Sequence, residues 1–471
     1  MKKNTILNNI LVEKLVFGKF ARLQHENPDL SGKTVFISGG VLPQSVVNVR
    51  VLKSRKDYIE GQAVEIVKKS PLETQHPQNP YGIQPGCGRV NIPYEHQLDI
   101  KSGQISESLF HIRKLQENID ISPILSSPLM DGYRNKIEWS FGKFISGKYD
   151  RNEHFNVFHK QGEFSKIEDY DGTILISEKL NAIYQDIKIF AKQSGLPVYD
   201  QFTGEGFWRH LVMREGFFTG EIMLILSFFP HFPEAQNLDF LKKYFGKLTE
   251  KYPEIASVYF SHNDSKADVA LGRLECIFGK EYITETLLGL EFRISPKSFF
   301  QTNSHGAEVL YQNILDLVPA EKLQDAHVLD LYGGTGTIGM LFAKQAKKVT
   351  SVELVESASK DGEQNAHNND LKNIDFVCDK TENFLKTFVK NKEKADILII
   401  DPPRSGMHPD ALASILGFDA EYFLYVSCNP ATLSRDLSKI LQESTYRIEK
   451  MIPVDMFPHT HHIETIVLLK K

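Results

Sequence analysis

Cys428 stands between an aromatic, apolar run (Tyr422, Phe423, Leu424, Tyr425, Val426) and the pair Asn429-Pro430. The run reads as a buried strand, Asn429 as a helix N-cap and Pro430 as the first helical residue. The thiol therefore sits at a strand-to-helix switch. Unpaired backbone N–H groups and the positive end of the helix dipole favour a thiolate there, so its pKa is expected below the usual value of about 8.5. The chemistry would be nucleophilic addition. The alternative is a small, inert, buried side chain.

A second constellation lies upstream. His327 to Ala343 (HVLDLYGGTGTIGMLFA) reads as strand, glycine turn and helix, with Gly334, Gly336 and Gly339 in G-x-G-x-x-G spacing. The next strand ends at Glu353, where an acid would hold a ribose hydroxyl pair. This pattern fits NAD and S-adenosylmethionine equally, and glycines also serve close helix–strand packing. Ala395 to Pro409 (ADILIIDPPRSGMHP) reads as a buried parallel strand with Asp401 at its carboxyl end, where open α/β sheets bind ligands; a bare turn at Pro402-Pro403 is the alternative. His459, His461 and His462 precede Glu464. On a strand adjacent histidines would point to opposite faces, so RNA contact or packing is expected there and no metal.

These groups must be positioned by a chain of 471 residues, 41% hydrophobic and 24% charged, which predicts two or three globular domains. Residues 1–70 read as a small β-barrel, from short Val-, Ile- and Phe-rich runs punctuated by Gly40, Pro43 and Gly61. The segment is rich in Lys and Arg and carries Phe17, Phe20, Phe36 and Tyr58, a surface suited to RNA or simply a solvated charged face. Residues 71–290 read as a linker followed by a central α+β region, with part of 94–118 able to pack on the last domain. In it Gly132 to Phe144 forms a strand bearing Arg134, Lys136 and Trp139; these could hold phosphate and stack a base, or form an ordinary sheet face. Residues 291–471 form the Rossmann-like part, so the fold class is α/β with two accessory regions. Cys87, Cys276, Cys378 and Cys428 are widely spaced, which argues against disulfides or a local zinc site. Cys378 reads as a core-strand residue, beside Asp379 where adenine would approach. The net charge of −5 does not advertise nucleic acid. No apolar run has the length of a membrane span, and the opening MKKNTILNNI is unlike a signal peptide, so a cytoplasmic protein is expected.

The stretches SPKSFFQTN, DLYGGTGTIG, SVEL, IDPPRSG, YVSCNPATLSRDL and HHIETIVLL, in that order, resemble the RNA uracil-C5 methyltransferase family in its form with an N-terminal TRAM barrel. The Asp-Pro-Pro turn is similar to the element that clamps a planar base beside the methyl donor in nucleobase methyltransferases. The resemblance implies S-adenosylmethionine as cofactor, Gln301, Tyr332, Glu353 and Asp401 as its contacts, Cys428 as nucleophile and Glu464 as base. Arg134, Lys136 and Arg404 become candidates for RNA phosphates. Cluster-bearing relatives place several close cysteines after the barrel; here only Cys87 stands there, so no iron–sulfur cluster is expected. The implied substrate is a uridine in structured RNA, leaning to 23S rRNA, with the T-loop of tRNA as the alternative. No membrane and no obligate protein partner is implied. A nicotinamide oxidoreductase and a non-catalytic RNA-binding protein stay open as readings of another class.

Overall fold

The computed structural model describes residues 1–16, 20–23, 33–74, 86–110, 112–145, 148–160, 163–201, 203–267 and 269–471; the side chains of 16, 20–23, 143–145, 148–160 and 163–169 lie outside that description. Phe17, Lys19 and the stretch 75–85 of the expected linker are therefore outside it, as are the side chains of Phe20 and Arg22.

The N-terminal strands Ile6–Val16, Phe20–Leu23, Thr34–Ser38, Val46–Ser54 and Tyr58–Lys68 close into a barrel. Strict alternation explains its core: Val35, Ile37, Val47, Val49, Val51 and Ile59 all point inward and are buried. Gly61, expected to punctuate the chain, lies inside the last of these strands. A Cβ there would come within 2.3 Å of Val49 Cγ1, so the glycine permits a close approach of neighbouring strands.

The central region is a seven-stranded sheet whose middle strands Trp208–Glu215 and Ile222–Phe228 are buried at every position. Both faces are covered. Helices Glu178–Gln193 and Asp239–Lys251 pack Leu180, Ile183, Leu241 and Phe245 against one side. Val212, Met223 and Ile225 on the other side join a core that includes the hairpin Ile283–Leu287/Leu290–Ile294 and the C-terminal sheet. Trp139 is wholly buried and stacked on Tyr184 at 3.9 Å. It is a core residue and cannot stack a base, because the face of the sheet it occupies is covered by the helix Glu178–Gln193.

The C-terminal sheet has the spatial order Ile374–Cys378, Lys348–Glu353, His327–Leu331, Ile397–Ile400, Tyr422–Ser427, Glu464–Lys470 and Arg447–Val454. The first five are mutually parallel, and Glu464–Lys470 runs antiparallel between its two neighbours. Residues alternate between two cores, Val328, Ile399 and Leu424 on one side and Leu329, Leu398 and Phe423 on the other, as expected for a sheet covered on both faces. Ile105, Leu109 and Ile112, in and after the helix Tyr94–Ser108, pack into the second core. Cys378 corrects its expected place: it ends the edge strand and is exposed, because that strand has a neighbour on one side only. No helix among the described residues is long and apolar enough to cross a membrane.

Candidate active site

Cys428 follows the strand Tyr422–Ser427 directly, and Asn429 and Pro430 open the helix Pro430–Glu443. Asn429 acts twice. Its Oδ1 accepts from the N–H of Ala431 at 3.1 Å, capping the helix, and its Nδ2 donates to the carbonyl of Arg404 at 2.9 Å. The Thr432 hydroxyl donates to the same carbonyl at 3.3 Å. The Asp-Pro-Pro-Arg turn is thus tied to the cap beside the thiol.

The register brings the base candidate opposite. Ser427 pairs with Thr465 in the antiparallel ladder, so the next positions outward are Cys428 and Glu464. Asp401 continues the adjacent strand, one step past the Ile400–Tyr425 pair. Three strand ends therefore deliver thiol, two carboxyls and the Arg404 guanidinium to one crevice at the carboxyl edge of the parallel strands, where such sheets bind ligands.

Electrostatics overturns one expectation. The Cys428 thiol is pushed up to about 11, by burial first and then by the charges of Glu464 and Asp401, with Arg404 opposing. The helix N-terminus is a local, partial charge; removing solvent beside two carboxyls outweighs it. Glu464 is fully buried and held well above the usual carboxyl range by desolvation and by Asp401. Asp401 rises to about 7 for the same reason, with Asp330 as its charged neighbour. Burial thus favours the protonated forms of all three groups.

These shifts have a consequence for stability. Asp401 and Asp330 both rise from 3.8 to about 7, so the folded state binds their protons more tightly than the unfolded chain. Their contribution is full below the unfolded value and is lost as pH climbs through 7. The melting temperature should fall between about pH 4 and about pH 7.5, and Asp401→Asn should flatten that slope; a thermal-denaturation series checks this, and an unchanged slope contradicts it.

The glycine turn is built around Asp330, an acid within the strand HVLDL that sequence reasoning did not assign, although a carboxylate in an apolar run was its signal. Its Oδ2 accepts from the Gly339 N–H and the Ser351 hydroxyl, both at 3.1 Å. Gly333 and Gly339 are required because a Cβ on either would meet this oxygen at 2.9 and 2.8 Å. Tyr332, Gly334 and Gly336 are left-handed, with φ of 61°, 58° and 73°. Glu353 accepts from the N–H of Gly334 at 3.0 Å and of Val355 at 2.8 Å.

Gln301 enters from another side. Its carbonyl accepts from Asn135 Nδ2 at 2.9 Å, and its side chain bonds Tyr311, a buried tyrosine whose hydroxyl is raised by desolvation and by Asp401, Glu464 and Asp330. Asn135 and Tyr311 were not foreseen. Arg134 comes near the crevice, as one of the cations holding His462 down to about 3, after burial and His461. Lys136 lies in the sheet flank beside Arg214, Glu138 and Arg134. His461 and His462 occupy the turn before Glu464, not the strand, with ring centroids 4.0 Å apart; they do not face opposite ways as expected. His462 Nε2 is 3.4 Å from an Arg404 nitrogen. No group of three or more His, Cys, Asp or Glu among the described residues could hold a metal ion.

The crevice suits a nucleoside carrying a cationic sulfur. Asp330 Oδ1 is buried without a hydrogen-bond partner, Gly334 opens onto space clear of other atoms for 4 Å, and Glu353 closes the far end with its carboxylate fixed by two N–H groups.

Comparison with known proteins agrees. The family model described as tRNA (uracil-5-)-methyltransferase matches residues 270–471. A protein of Caldanaerobacter subterraneus subsp. tengcongensis named as an uncharacterized RNA methyltransferase is 36% identical over 454 residues, covering 93% of this chain and 94% of its own. One of Clostridium tetani is 36% identical over 464 residues, 98% of this chain and 96% of its own. The crystal structure of the Pyrococcus abyssi tRNA (uracil-54, C5)-methyltransferase with S-adenosyl-L-homocysteine aligns over 98% of this chain and all of that one, with a TM-score of 0.72 and 26% identity. With glycine turn, Asp-Pro-Pro-Arg loop and cysteine at a strand end all in one crevice, the chain belongs to the RNA uracil-5 methyltransferase family, whose members are S-adenosylmethionine-dependent enzymes.

Proposed function

We propose that the enzyme methylates C5 of one uridine in folded RNA through a covalent adduct between Cys428 and C6. C5 of uracil is too weak a nucleophile to take a methyl group unaided. Addition of the Cys428 thiolate to C6 breaks the C5–C6 double bond and moves charge to C5 and O4. S-adenosylmethionine, when bound, supplies the methyl group and a positive charge beside the buried acids. Gln301, Tyr332, Glu353 and Asp401 would hold it beside the uracil, where proximity would supply much of the rate. Asp401, poised near 7, is the group suited to taking the thiol proton. Glu464 then removes the C5 proton, the C5–C6 double bond re-forms, and the C–S bond breaks to return the Cys428 thiolate. The net products are 5-methyluridine, S-adenosylhomocysteine and one proton. The observation that carries this reading is the ladder register setting Cys428 across from Glu464.

The uridine must leave its stack to reach this crevice, which favours loops or bulges. Arg404 and Arg134 are placed to take phosphates beside it, with Lys136 extending that cationic surface. We divide the chain into a TRAM-type barrel (1–70), a central RNA-gripping region (71–290) and the catalytic domain (291–471), working in the cytoplasm. The barrel-bearing form of the family puts 23S rRNA first as target. The full-length likeness to a Pyrococcus abyssi enzyme named for uracil-54 of tRNA favours a T-loop uridine as the second reading. Mapping 5-methyluridine in total RNA from a strain lacking the gene separates them. Loss of one modified site in 23S rRNA supports the first and loss at the T-loop the second; no lost site contradicts both.

A further inference from the structure

The loop between strands Arg447–Val454 and Glu464–Lys470 delivers Glu464 and His462 to the crevice, yet its backbone is held from outside the catalytic domain. Lys101, on the helix Tyr94–Ser108, donates to Asp455 Oδ1 at 2.7 Å and to the Phe457 carbonyl at 3.0 Å. Both charged side chains are wholly buried. Tyr133 donates to the Pro458 carbonyl at 2.9 Å. Gln97 accepts from the His459 N–H at 2.7 Å, and the Arg89 N–H donates to the His459 carbonyl at 3.0 Å. His459 is left-handed, with φ of 63°, a conformation that persists in a non-glycine residue only where its surroundings over-determine it.

A buried ion pair is a poor way to gain stability, since apolar residues of equal volume do as well. What Lys101 supplies and an apolar residue would not is a fixed direction for the Phe457 carbonyl and the Asp455 carboxylate. We infer that Lys101 is a positioning residue for proton abstraction, its ammonium fixing the loop so that the Glu464 carboxylate meets the C5 proton. The helix Tyr94–Ser108, in the stretch expected to be able to pack on the last domain, thereby becomes part of the catalytic apparatus. This inference rests on the adduct mechanism proposed above.

If so, loss of Lys101 should slow the last step selectively. The test uses the full chain, methyl-labelled S-adenosylmethionine and total RNA carrying 5-tritiated uridine from a strain lacking the gene. Tritium release reports proton abstraction, and methyl label in a denaturation-resistant protein–RNA complex reports the stalled adduct. Glu464→Gln is the reference, because it should stall there whatever Lys101 does. For Lys101→Met, tritium release should fall by about tenfold to a hundredfold, the effect of misplacing a reacting group by about 1 Å. The KM for RNA should stay within about twofold, and the labelled complex should accumulate. Where that variant does not fold, Lys101→Met with Asp455→Asn and Arg89→Met removes all three mutually interacting buried charges together and must stall in the same way. Wild-type release from whichever variant folds, or equal loss of adduct formation and release, overturns the inference. Failure of Glu464→Gln to stall instead excludes Glu464 as the base, and with it the reading on which this inference rests.

Discussion

Cys428→Ser should lose methyl transfer by about 10⁴–10⁶-fold, the scale on which removing a covalent nucleophile acts, while still binding S-adenosylhomocysteine. A serine hydroxyl is a far weaker nucleophile, and nothing in the crevice can ionise it. The cofactor contacts lie on other elements, the glycine turn and the Glu353 strand end, so binding should persist. Methyl incorporation and calorimetric titration measure the two. Joint loss of both would mean that the thiol is structural, and retained transfer would remove it from the chemistry.

Glu464→Gln should lower turnover by about 10²–10⁴-fold, the usual contribution of a general base, and should leave methylated RNA attached to the protein. The amide keeps the shape of a fully buried side chain but cannot accept the C5 proton. Without that step the C–S bond has no route to break, so the product stays bound. Gel analysis of denatured reaction mixtures reads this directly; free methylated RNA released at the wild-type rate would exclude Glu464 as base. Both roles require a proton to be absent. Cys428 at about 11 and Asp401 at about 7 mean that kcat/KM should rise with pH from about 6 to about 9.

Much of this was legible in the chain because it is local. An apolar run, then Cys428, Asn429 and Pro430, carries its own strand, cap and helix start. The glycine turn and the Asp401 strand end are similarly self-announcing. What could not be read arises from contacts between distant segments. Glu464 faces Cys428 only because the last strand inserts antiparallel beside the Cys428 strand, and no periodicity encodes that order. The thiol's pKa went the other way from expectation because a helix dipole is visible in sequence, whereas burial among carboxyls is tertiary. Trp139 was ambiguous because exposure of a sheet face depends on what packs on it. The helix Tyr94–Ser108 was expected to be able to pack on the last domain, but its hold on the loop before Glu464 was not legible: its buried positions include Gln97 and Lys101, polar residues bonded to His459 and Asp455 more than 300 residues away.

The most direct measurement replaces the C5 hydrogen of the substrate by fluorine, which Glu464 cannot remove as a cation. Incubating the enzyme with S-adenosylmethionine and 5-fluorouridine-substituted RNA, followed by proteolysis and mass spectrometry, should yield a methylated nucleotide bonded to the peptide containing Cys428. Absence of any covalent complex, under conditions where the unsubstituted RNA is methylated, or attachment at a different residue, would contradict the account.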